Sequence, residues 1–82
     1  MKLIKSTPTR GEDGENIYTN EVEITSDDPS SLRARAHDLC QVMGIKPEPW
    51  CSRYPVMGNE EIRSDHEWVM TLSNGIGFII EK

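Results

Sequence analysis

The stretch Asp28–Ile45, DPSSLRARAHDLCQVMGI, decides how the rest of the chain must be arranged, because a helix start, a helical period and a helix stop coincide only there. Asp28 precedes a proline and is thereby biased towards the extended backbone of an N-cap. Pro29 suits the first helical position, where its missing N–H would have had no partner. The spacing predicts a helix from Pro29 to about Met43. Leu32, Ala36, Leu39 and Met43 recur at i, i+4, i+7 and i+11, with Cys40 and Val42 at the margins, and this makes one apolar stripe. Arg33, His37, Asp38 and Gln41 fall on the side that meets water. Gly44 can adopt the left-handed cap conformation, Ile45 can fold back as its hydrophobic partner, and Pro47 forbids continuation.

One stripe can cover one face of a sheet, and that requirement fixes the register of the last two strands. Asn74-Gly75 alone suggests a two-residue hairpin turn, but the pairing it implies scatters the large side chains over both faces. A three-residue loop, Ser73 to Gly75 with Gly75 left-handed, instead pairs Leu72 with Ile76, Met70 with Phe78 and Trp68 with Ile80. All six then lie on one side. Val69 and Ile79 are left together on the outer face, beside Thr71, as a small apolar spot suited to a contact.

Upstream of the helix, Lys2 to Lys5 reads as a short strand. Residues 6–16 hold Pro8, Gly11 and Gly14 with little to bury, and are expected to form a mobile loop. From Tyr18 to Thr25 the pattern alternates, so Tyr18, Val22 and Ile24 are expected to look at the helix. Downstream, Lys46 to Pro55 carries three prolines and reads as a connector into an edge strand, with Trp50 as a lid over the helix end. A turn is expected at Met57 to Glu60 and a strand from about Glu61 to Leu72. The expected architecture is therefore two-layer α+β: an antiparallel sheet of about four or five strands with one helix on one face, in the order β-β-α-β-β-β.

At 82 residues, of which 35% are hydrophobic, the chain is expected to make a single domain with a thin core. Its net charge is −5, which argues against a protein that gains affinity by neutralising duplex phosphates. Met1-Lys2-Leu3-Ile4-Lys5 is followed by no apolar run of signal-peptide or membrane-span length, so a cytoplasmic location with reduced thiols is expected.

Four readings of chemistry compete. His37, Cys40, Cys51 and His66 offer zinc-type donors but lack an established zinc spacing, and the expectation is no metal and no cofactor. Cys51 with His66, flanked by Asp65 and Glu67, is the best thiol-enzyme candidate. No signature supports it, and no catalytic residue is assigned. Trp50, Arg53 and Tyr54 could stack on single-stranded nucleic acid, which the acidic balance disfavours.

The remaining reading is protein binding. Between Gly11 and Asp28 lie seven acidic side chains and no basic one, half of the 14 carboxylates within 18 residues. Asp27 and Asp28 suit the positive end of the helix dipole. The others could form a solvated face or steer a basic partner. Glu21 and Glu23 on one strand face would stand about 6.8 Å apart, a spacing that could imitate a nucleic-acid backbone. The candidate contact residues are thus Glu12, Asp13, Glu15, Glu21, Glu23, Val69 and Ile79. The expected role is an inhibitor or adaptor, of the phage or mobile-element accessory type, seated on a basic surface of a larger protein, with a homodimer as the competing use of the outer face.

Overall fold

The computed structural model describes residues 1–12, 14–52 and 67–82. Strands β1 (Lys2–Arg10) and β2 (Asn16–Thr25) form a long hairpin, helix α1 (Pro29–Met43) follows, and β3 (Cys51–Ser52), β4 (Trp68–Thr71) and β5 (Gly77–Glu81) complete the sheet. The five strands are all antiparallel and lie in the order β2-β1-β5-β4-β3. The two hairpins are therefore joined side by side through β1 and β5, and the edge strand β3 lies inside the stretch 46–55, which reads in sequence as only a connector leading into one. The expected turn at Met57 to Glu60 and the beginning of the strand from Glu61 lie outside the described residues.

The helix takes its boundaries from its caps. Asp28 is extended, and its carboxylate accepts a hydrogen bond from the Ser30 backbone N–H at 3.0 Å and another from the Ser31 hydroxyl at 3.2 Å. At the other end Gly44 sits at φ 70°. Its N–H donates to the Gln41 carbonyl while the Ile45 N–H reaches back to the Cys40 carbonyl, each at 3.0 Å, which is the paired pattern of a Schellman end. Leu32, Ala36 and Cys40 are fully buried, with Leu39, Met43 and Ile45 packed beside them. Cys40 is thus at the centre of the stripe rather than its margin, whereas Val42 is 84% exposed. Positions 32, 36 and 40 form an i, i+4, i+8 ridge that points straight at the sheet, and Val42 is rotated away from it.

The C-terminal hairpin adopts the three-residue register. Trp68 pairs with Ile80, Met70 with Phe78, and Val69 with Ile79. The Leu72 N–H donates to the Ile76 carbonyl at 2.8 Å, the Gly75 N–H to the Leu72 carbonyl at 3.0 Å, and Gly75 sits at φ 90°. The Asn74 side-chain oxygen accepts from the Ile76 N–H at 3.1 Å and fastens the turn. Trp68, Met70, Leu72, Phe78 and Ile80 join Leu3 and the helix ridge in the core, with Ile76 packed at its margin. Burying side chains of this size contributes roughly 1.5–3 kcal/mol each, so this hairpin and the helix carry most of the folding energy.

The N-terminal hairpin departs from expectation in two ways. Residues 6–16 are not one loop: β1 continues to Arg10 and β2 starts at Asn16. A backbone ladder needs no apolar side chains. Thr7 and Thr9 are β-branched, and Pro8 lies past Ser6, where β5 no longer pairs with β1, an edge setting that tolerates proline.

The second departure is a β-bulge. Leu3 is opposite Ile24 but Ile4 is opposite Val22, so Glu23 is an extra residue and the alternation of β2 changes face there. Ile24 packs on the core as expected. Val22 and Tyr18, which were expected to face the helix, are 57% and 58% exposed on the other side of the sheet.

Candidate functional site

The sheet face opposite the helix is built by the register. Val22 pairs with Ile4, Ile4 with Ile79, Ile79 with Val69, and Val69 with Cys51, so one residue from each strand lines up in a row across the sheet. The row is apolar from end to end. Ile4 in its middle is nearly buried, Ile79 and Val69 are half-buried, and Val22 and Cys51 at its ends are exposed. The outer spot of Val69 and Ile79 is therefore present and extends through Ile4 to Val22, a continuation hidden from the sequence by the Glu23 bulge. Beside the row Lys2 and Glu81 pair across β1 and β5 with a 3.7 Å ion contact, which leaves that corner electrically neutral.

The acidic candidates are elsewhere. Glu12 and Glu15 are exposed at the tip of the first hairpin, where the Gly11 N–H donates to the Glu15 carbonyl at 2.8 Å. Asp13 lies outside the described residues. Glu21 is exposed and stands opposite Lys5, while Glu23 occupies the bulge and is half-buried. Because the bulge falls between positions 22 and 24, the regular two-residue spacing that would hold Glu21 and Glu23 as a phosphate-like row is interrupted. The structure therefore brings Val69 and Ile79 together, strings the carboxylates along the hairpin, and does not gather the two sets into one patch.

Exposed apolar area is also concentrated there. Among the described residues four large hydrophobic side chains are exposed, Ile17 (53%), Tyr18, Val22 and Val42, and three of them belong to β2. β2 is also a sheet edge, with β1 on one side only. The alternation from Tyr18 to Thr25 carries the signal for Tyr18 and Val22 but points them at the helix, because the bulge cannot be read from residue types; Ile17 lies outside that pattern.

Thiol and metal chemistry can be placed in part. Cys40 is wholly buried against the sheet, and desolvation pushes its thiol above the ordinary cysteine value, which suppresses the nucleophilic thiolate. Cys51 is exposed at the β3 edge and His37 is exposed on the helix. His66 lies outside the described residues, as do Arg53, Tyr54 and Asp65. Among the described residues no three histidines, cysteines or carboxylates come together as a metal-holding group. Trp50 packs against the core, as a lid over the helix end would, and its buried indole N–H has no hydrogen-bond partner among the described residues. No helix among the described residues is long and apolar enough to cross a membrane. Comparison with family models, curated proteins and solved structures finds no match to this chain.

Proposed function

We propose that this chain is a small acidic protein-binding module, of the inhibitor or adaptor kind, that occupies a basic surface of a larger protein. The observation that carries the reading is the coincidence on one hairpin of exposed apolar side chains on an edge strand, Ile17, Tyr18 and Val22, with the carboxylates Glu12, Glu15, Glu21 and Glu23 along it. The apolar groups supply affinity once desolvated, and the carboxylates choose the partner and speed the encounter.

The test is capture of the partner on immobilised protein at low and high salt, beside a variant with Glu21→Lys and Glu23→Lys. A partner released by salt and lost in the reversed variant, whose circular dichroism is unchanged, supports the reading. Equal retention by both proteins at high salt would overturn it.

The apolar row across the sheet favours a second reading, a homo-oligomer that stacks these faces. Sedimentation gives the discriminating result: a dimer dispersed by Ile79→Lys and indifferent to the Glu21 and Glu23 reversals replaces the first reading with the second.

A further inference from the structure

We infer that β2 binds its partner by strand addition, accepting an extended segment whose short uncharged run is bracketed by Lys or Arg. The inference deepens the binding-module reading and rests on it. Three observations converge on the Asn16–Asn20 half of β2.

First, this half is the free edge of the sheet. β1 satisfies one side of its backbone, and no described element pairs with the other, so a row of N–H and C=O groups is presented for pairing. The half nearest the helix is protected by the devices that blunt edges, the Glu23 bulge and the Glu21 charge. The half from Asn16 to Asn20 has neither bulge nor charge.

Second, the side chains there are those an added strand would cover. Ile17 and Tyr18 are more than half exposed, and adjacent positions on a strand point to opposite faces, so both faces of the edge offer apolar area.

Third, the uncharged run ends in a carboxylate on each side, Glu15 at the end of the turn before it and Glu21 within β2 after it, six positions apart. The same geometry decides against a second copy of this chain. Antiparallel self-pairing centred on Tyr18 sets Glu15 of one copy opposite Glu21 of the other, twice, and in every register each copy brings the same acidic flanks and a net charge of −5. Like charges directly opposed destabilise a strand pair. A segment with basic residues at matching ends turns both repulsions into attractions.

The experiment uses the intact protein and capped peptides, followed by amide chemical shifts. With the probe Lys-Val-Thr-Val-Thr-Val-Lys, the amide signals of residues 16–21 shift and exchange more slowly. The same peptide with Glu at both ends binds about tenfold more weakly, and N-methylation of alternate backbone amides abolishes the shifts. In the variant carrying Glu15→Lys and Glu21→Lys the order of the Lys-ended and Glu-ended peptides reverses, while the β4 and β5 amides keep their dispersion.

Shifts confined to Ile4, Val69 and Ile79, indifference to the charge at the peptide ends, or a β2-mediated dimer in sedimentation would each overturn the inference. A captured partner that is lost on reversing Glu21 and Glu23, yet leaves the residue 16–20 amides unperturbed, would remove strand addition while leaving the binding-module reading in place.

Discussion

The two hairpins of this sheet are held by different forces. The β4–β5 hairpin is short, closed by three residues, and lines the core with Trp68, Met70, Leu72, Phe78 and Ile80. The β1–β2 hairpin is nearly twice as long, reaches past the end of β5 at Ser6, and from Thr7 to Asn20 buries no side chain fully among the described residues. The first is fixed by apolar burial and the second, over its outer half, chiefly by the backbone ladder, to which the Thr9 hydroxyl adds one bond to the Ile17 carbonyl at 3.1 Å. A chain can therefore separate stability from display, because side chains that contribute little to folding are free to be chosen for contact.

The sharpest way to break this contrast is to truncate one large aromatic in each hairpin. Phe78→Ala should cost about 3–5 kcal/mol, the range for deleting a buried aromatic, and Tyr18→Ala should change stability by less than about 0.5 kcal/mol. Urea midpoints measured by far-ultraviolet dichroism give both values, and a Phe78→Ala chain already unfolded without urea counts on the same side. Comparable losses at the two positions would mean that the outer half of β1–β2 contributes to folding as much as the core does.

A finer comparison uses the two turn glycines. Gly75 (φ 90°) and Gly14 (φ 77°) are both left-handed, so alanine at either should cost about 1–2 kcal/mol in backbone strain. They differ in surroundings. A methyl added at Gly75 would stand 3.2 Å from the Pro8 ring carbon Cγ, whereas one added at Gly14 would meet nothing within 4 Å. Gly75→Ala should therefore be the more destabilising of the pair, and Pro8→Ala should recover the excess. If the Gly14 and Gly75 variants melt together, the tip of the second hairpin does not bear on the first.

The contrast also explains which parts of the fold could be read from residue order. Asp28-Pro29 and Gly44-Ile45 carry their own cap chemistry, so both ends of α1 follow from local sequence. The Ser73–Gly75 register follows from a global condition, that one helical stripe must cover every large side chain of β4 and β5, and only one pairing meets it. The strand at Thr7 to Arg10 was illegible because its stabilisation is main-chain pairing with residues ten or so positions away, which leaves no apolar period. Plain alternation puts Tyr18 and Val22 on the helix face, whereas a single extra residue, Glu23, reverses it, and no residue type compels a bulge. The candidate surface was legible in its members Val69 and Ile79 but not in its extension through Ile4 to Val22, which depends on that same bulge.

The smallest expected effect tests what joins the hairpins. Lys2 and Glu81 make the one ion pair between them found among the described residues, at 3.7 Å with side chains 40% and 33% exposed. At that exposure water and salt screen most of the attraction, so a double-mutant cycle of Lys2→Ala and Glu81→Ala should return a coupling below about 0.5 kcal/mol that fades further in 1 M salt. The seam has stronger material two positions along β1, where nearly buried Ile4 lies opposite Ile79 on the outer face, next to Leu3 opposite Ile80 in the core. Ile4→Ala should cost about 2–4 kcal/mol in the same measurement. If the ion-pair coupling exceeded that cost, the hairpins would be fastened by charge, and raising the salt would part them before urea did.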